Sequence, residues 1–164
     1  MDEARAIEAA RSYFLEQPHG CAETTCVVLQ EAYGLKDASD CSGAMAFNGG
    51  IAWRGSVCGV ITGAAIAVGR LAGQRAQSHR EAKRVTRLII DGWIDSFYAQ
   101  FGSINCRDLI GQDIHSPEGH AAFIERGVWR DTCMGQIEFA VRTLQSLREP
   151  DVWARVMTEI EHSE

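Results

Sequence analysis

No two of the six cysteines stand as a CxxC pair. That absence excludes a zinc ribbon, a thioredoxin-type motif and a haem-attachment CxxCH, so whatever joins Cys21, Cys26, Cys41, Cys58, Cys106 and Cys133 must be tertiary. The first residues do not read as a secretion leader either: MDEARAIEAARSYFLEQ is acidic and amphipathic, with neither a basic start nor an apolar run. The expected address is therefore cytoplasmic, where cysteines serve as buried thiols, metal ligands or redox groups rather than structural disulfides. No run of about 18 apolar residues is free of charge; the best, 57–72, holds Arg70 and is rich in glycine, so no membrane association is expected. Positive charge is in short supply, 16 Lys and Arg against 22 Asp and Glu, and the net charge of −6 speaks against nucleic acid as a general partner. Sustained apolar–polar alternation is absent too, which leaves an all-α reading.

What is present is organised around residues 48–73, NGGIAWRGSVCGVITGAAIAVGRLAG, a stretch with seven glycines and Cys58. Gly49 and Gly50 suit a turn of positive φ. From Ser56 onward, Gly59, Gly63, Ala64, Ala67 and Ala72 recur among Val60, Ile61, Ile66, Val68 and Leu71. Small residues at that spacing let a neighbouring backbone approach closely, at about 1 kcal/mol of helix propensity per glycine. A buried central helix follows, ending near Gly73, with Cys58 in its first turn, where the helix dipole favours a thiolate.

The rest reads as helices, and the chain as one domain over residues 1–164: a compact helical bundle around the glycine-rich helix. Residues 4–17 form the first helix, stopped by Pro18 and Gly20. A second runs from Cys21 to Tyr33 with Gly34 as its C-cap. Asp37, Ser39 and Asp40 are N-cap candidates for a short helix through Met45. A polar, basic stretch over 74–87 leads into an amphipathic helix carried by Val85, Leu88, Ile89, Trp93, Ile94, Phe97 and Tyr98, which Gly102 ends. Cys106 opens one or two turns closed by Gly111. Ser116-Pro117-Glu118 signals a helix start in an irregular region. Residues 128–147 form the last long helix, Pro150 breaks it, and an amphipathic tail helix spans about 151–162.

Cys21, Cys58 and Cys106 thus fall at helix starts, and Cys133 lies on a helix face. Cys26, mid-helix on an apolar stripe, reads as core filler, and Cys41 stands open between filler and surface thiol. Four elements together resemble the C_GCAxxG_C_C family, described as redox-active and largely without an assigned chemistry. These are Cys21-Ala22; Gly49-Gly50-Ile51 with Arg54-Gly55 and Cys58-Gly59 to Gly63; Cys106-Arg107-Asp108-Leu109; and Cys133. The likeness covers about 18–147 and departs at Val60, where the family carries alanine. It implies an oxidoreductase-type redox protein with Cys58, Cys21, Cys106 and Cys133 as the reactive or metal-binding set. Gly59, Gly63, Arg54 and Arg107 are the residues implied beside a bound cofactor. The chemistry stays open between thiol–disulfide exchange and an iron–sulfur cluster, with a redox partner protein or small-molecule donor unspecified. The alternative is a non-enzymatic helical binding module with a structural four-cysteine zinc site or buried free thiols.

Arg54, four residues before Cys58, and Arg107, beside Cys106, either lower a thiol pKa or are solvated turn residues. Asp113, His115, Glu118 and His120 share one irregular stretch and form a weak acid–base or metal candidate, and His79 fits no motif. The basic run over 70–87 reads as a solvated helix face. Trp53, Trp93, Trp129 and Trp153 read as core or interface anchors, and tryptophans on amphipathic helices suggest a homodimer.

Overall fold

The computed structural model describes residues 1–162. Helix α1 (Glu3–Arg11) is capped by Asp2, whose carboxylate accepts from the Arg5 N–H at 2.9 Å, and runs on through a π turn to Glu16. The Pro18–Gly20 break separates it from α2 (Cys21–Tyr33), which ends on Gly34 with φ of 67°. A 3-10 turn (Ser42–Phe47) and the glycine-rich loop lead to α3 (Gly59–Arg75) and α4 (His79–Phe101). Then come α5 (Cys106–Ile110), α6 (Pro117–Glu125), α7 (Met134–Leu144) and α8 (Pro150–His162). Among the described residues there is no strand, only an isolated antiparallel bridge between Val57 and Asn105. The all-α expectation holds.

Helix α3 is the centre of the packing. Its Val60, Ala64, Ala67 and Val68 are fully buried, as are Val28 and Leu29 of α2, Phe97 of α4 and Ile137 of α7. The small residues of α3 bring α2 alongside it, and α4 covers another face. Burial of these apolar faces supplies the main driving force, at roughly 25 cal/mol per Å² removed from water.

Several local expectations change. The short helix through Met45 is a 3-10 turn further on, because Asp37 sits at φ 53° and the Asp40 carboxylate caps the Ser42 N–H at 3.0 Å. The last long helix is interrupted by a π turn at Trp129–Cys133 and finishes in a 3-10 turn at Gln145–Arg148. Helix α3 ends at Arg75, two residues beyond Gly73. The basic run is only partly a solvated face: the Arg70 guanidinium donates to the Lys36 carbonyl at 2.7 Å and to Gln30, and Arg75 donates to the Leu147 carbonyl at 2.8 Å. Trp93 is buried and donates to Thr143 at 2.9 Å, and Trp153 lies beneath the Arg75 guanidinium, 5.0 Å away. No described helix is long and apolar enough to cross a membrane.

Candidate functional site

The site is assembled around the glycine-rich loop. Gly49, Gly50, Ile51, Ala52 and Trp53 all have φ between 50° and 68°, a single left-handed turn. For residues with a Cβ that conformation costs roughly 1–2 kcal/mol each, and the loop's own hydrogen bonds hold it: Ala52 N–H to Ala46 at 2.8 Å and Ser56 N–H to Gly50 at 2.9 Å. Strain of this kind concentrates where geometry serves function. Exposed Ala52 carries part of it without packing in the core. Ala52→Gly is therefore expected to raise stability by about 0.5–1 kcal/mol, the steric relief exceeding the extra chain entropy. A denaturant midpoint checks this.

Asn48, at the head of the loop, ties it to the start of α2. Its Oδ1 accepts from the Ala22 N–H at 3.0 Å, and its Nδ2 donates to Glu23 at 2.6 Å. Glu23 also accepts from the Gly20 N–H at 2.9 Å, satisfying another donor at that end. At the loop's far end the chain pairs with 104–107: Cys58 N–H donates to Ile104 at 2.8 Å, and Cys106 N–H to Ser56 at 2.7 Å. Cys58 and Cys106 each follow one partner of the Val57–Asn105 bridge, which places them as diagonal neighbours across it. Cys133 joins them from the end of the π turn before α7.

Glycines allow the approach. A Cβ at Gly59 would stand 2.5 Å from Cys21 Sγ, so that thiol rests against the first residue of α3. At Gly50 a Cβ would stand 2.7 Å from the Cβ of Cys106. Gly63, one turn further along α3, faces the backbone of Ala22. The two glycines thus act on helix approach, Gly59 directly at a thiol and Gly63 behind it.

The four thiols sense one another. Burial pushes the Cys106 thiol up to about 12, with the nearby Cys21 adding to the effect. Burial also holds Cys58 and Cys133 well above the ordinary thiol value; Cys21 and Cys106 reinforce it for both, and Cys58 for Cys133. Cys21 is raised by burial too, against the N–H groups of Gly49, Ala22 and Gly59, which favour its thiolate. The expectation of thiolates at helix starts is thus overturned: helix-end donors are present, but desolvation outweighs them. The Cys58 S–H donates to the buried Gln136 Oε1 at 3.5 Å, a bond that only the protonated thiol makes.

Arg54 and Arg107 are exposed on the rim. Arg107 donates to Asp113 at 3.1 Å and to the Arg54 carbonyl at 3.4 Å, and neither guanidinium is among the causes that set the thiols' ionisation. Asp113 is thus an ion-pair partner; His115 is exposed, and His120 stacks edge-on to Trp53 at 4.7 Å. Cys26 lies elsewhere, among Ala22, Ala44, Phe47 and Ile66; burial raises it to about 11, with Cys41 the next cause.

A cavity of about 300 Å³ opens beside the thiols, lined by Cys21, Cys106 and Cys133, with His19, Trp129 and Trp53 among its other walls. Sequence alone does not mark His19, Glu23, Asn48 or Gln136 as functional residues. His19, two positions before Cys21, and Asn48, at the head of the glycine run, carried a positional signal; Gln136 carried none.

Among the described residues no three His, Cys, Asp or Glu side chains form a group that could hold a single metal ion. The fold and site define a helical protein that gathers four thiols from four chain segments beside a small cavity. The chain belongs to the family described as "Putative redox-active protein (C_GCAxxG_C_C)", which matches residues 19–147. No curated protein and no solved structure matches it.

Proposed function

We propose that this protein exchanges electrons through its clustered thiols, by reversible disulfide formation within the set Cys21, Cys58, Cys106 and Cys133. The observation that carries the reading is their convergence: residues up to 112 positions apart in sequence lie close enough for each charge to act on the next. Cys21 is the entering thiol. It is the only one of the four that is half-buried rather than buried, and it lines the cavity. The N–H groups of Gly49, Ala22 and Gly59 support the negative charge that forms on its sulfur. In the exchange two S–H bonds break, one S–S bond forms, and two electrons and two protons leave for the partner. Cys58, behind the cavity wall and bonded to Gln136, is held in reserve as a resolving thiol.

A second reading is an iron–sulfur cluster on the same four cysteines. It is favoured by the donor chemistry: four cysteine sulfurs in one set, with backbone N–H groups directed at Cys21 and Cys58, the kind of contact that tunes cluster sulfurs. A cluster is wider than one ion, so its ligands need not meet at a point. When bound it would supply one-electron transfer, and the residues around it would exclude water and hold its sulfur ligands in place.

Anaerobic purification followed by a visible spectrum, metal and sulfide analysis and a thiol count separates the two readings. The first predicts a colourless protein that loses and regains two thiols reversibly. Cys21→Ser is expected to abolish that change and Cys26→Ser to leave it intact. A visible chromophore with iron and acid-labile sulfide would replace the first reading by the second, and a fixed thiol count in a metal-free protein would remove both.

A further inference from the structure

The cavity beside the thiols has walls that identify its occupant. Its volume of about 300 Å³ is at the lower end for ligand sites, which suits one small molecule and not a peptide. No lysine or arginine lines it, and its one carboxylate, Glu23, is already bonded to Gly20 and Asn48. An anionic ligand, including a low-molecular-weight peptide disulfide with free carboxylates, would find no lysine or arginine to pair with there. Four of its wall residues carry aromatic hydrocarbon rings, Phe14, Trp53, Phe123 and Trp129, with Phe14 and Trp129 edge-to-face at 5.8 Å. Such rings stack on or pack edge-to-face against a flat ring.

Two polar atoms add a second, independent signal. His19 Nδ1 and Trp129 Nε1 are fully buried and have no hydrogen-bond partner among the described residues, and both residues line the cavity. Buried polar groups are nearly always paired, so each points to a missing partner. The indole N–H can only donate, so its partner carries an acceptor oxygen or nitrogen. Three of the thiols, Cys21, Cys106 and Cys133, line the same space, and in their protonated form thiols release protons together with electrons.

We propose that this cavity binds a quinone, a flat uncharged ring with carbonyl acceptors, as the two-electron partner of the thiol site. The inference rests on the thiol-redox reading above and names its substrate class. In the reaction two protein S–H bonds break and one S–S bond forms. The two electrons and two protons convert the two quinone carbonyls to the hydroxyls of the hydroquinone, so the step balances without a further reagent. Trp129 Nε1–H holds a carbonyl oxygen, and His19 bonds the ligand's oxygen in whichever state it reaches. Trp53 and Ile124, both exposed in part and both lining the cavity, form its mouth.

The test uses tetramethyl-1,4-benzoquinone, whose fully substituted ring disfavours addition of thiols to carbon, with the reduced full chain under anaerobic conditions. Calorimetry is expected to show saturable binding, and mixing to consume one quinone and two thiols per chain. Trp129→Phe, which keeps a ring but removes the donor, is expected to weaken binding about tenfold. Ile124→Trp, at an exposed position, is expected to obstruct the mouth and weaken binding with the helical circular dichroism unchanged. Absence of saturable binding, or binding that both variants leave unaltered, overturns the proposal; so does binding without loss of thiols. If a disulfide reagent changes the thiol count reversibly while the quinone does nothing, this inference fails and the thiol-redox reading stands. If neither reagent changes the count, both fail.

Discussion

Gly63→Ala is expected to lower the thermal midpoint by about 6–12 °C, a loss of about 3 kcal/mol or more. A Cβ at Gly63 would run into the backbone of Ala22, with the Ala22 carbonyl carbon at 3.1 Å and Cα at 3.2 Å, and the carbonyl oxygen nearer still. A flexible side chain could swing away from an added methyl; a helix backbone cannot, so α2 must move off α3. That shift carries Cys21 with it, because Cys21 and Ala22 are consecutive at the start of α2 and Cys21 Sγ rests on Gly59. The variant should therefore lose reversible thiol exchange as well as stability. Gly73→Ala is the internal control. Gly73 lies in the same helix, is exposed, and has nothing within 4 Å of an added Cβ. Here the better helix propensity of alanine is expected to raise stability by about 0.5–1 kcal/mol. Opposite signs from two glycines ten positions apart in one helix, read by thermal denaturation, would separate contact from propensity. Equal effects would mean that α2 and α3 are not in the close contact described.

Raising the pH above 9 is expected to destabilise the protein steeply. The ordinary thiol value is 9.0, whereas Cys106 sits at about 12, Cys26 at about 11, and Cys58 and Cys133 well above the ordinary value. Below pH 9 these thiols are protonated in both the folded and unfolded chain, and stability is complete. From 9 to the folded value the unfolded chain releases protons that the native state keeps, so each such thiol costs about 1.4 kcal/mol per pH unit. Denaturant midpoints measured between pH 8 and 11 should fall accordingly, and Cys106→Ala should remove one thiol's share of the slope. The same burial slows chemistry at neutral pH. A thiol at about 12 carries about a thousandfold less thiolate at pH 7 than one at 9. Alkylation of Cys106 in the native protein should be slower than in the denatured chain by about that factor, followed by mass spectrometry. A native rate equal to the denatured one would mean that the site is open to water, and with it the neutral-thiol picture would fall.

The local pattern determined a good deal. Apolar periodicity marked α2, α3 and α4, and Gly34, Gly102 and Gly111 ended helices as left-handed caps. Asp2, Ser78 and Ser116 supply side-chain caps, each accepting the N–H three residues on. The order of Cys21, Cys58, Cys106 and Cys133 within the glycine framework identified the family, because those spacings are carried by consecutive residues. What lay beyond reach depends on neighbours distant in the chain. Gly59, Gly63 and Gly73 look alike in sequence; only the docking of α2 makes the first two indispensable to the packing. Three cysteines at helix starts suggested thiolates, and the helix-end donors are there, but desolvation, which no local spacing records, decided for the neutral thiol. Arg54 and Arg107 stood beside cysteines in sequence, yet Asp113 and the Arg54 carbonyl engage Arg107 on the rim. His19 and Trp129 became cavity walls only when residues from both ends of the chain met. Sequence reports which groups are available, through backbone propensity and capping that act over a few residues. Tertiary structure decided which of them share one low-dielectric space, and that sharing sets the chemistry.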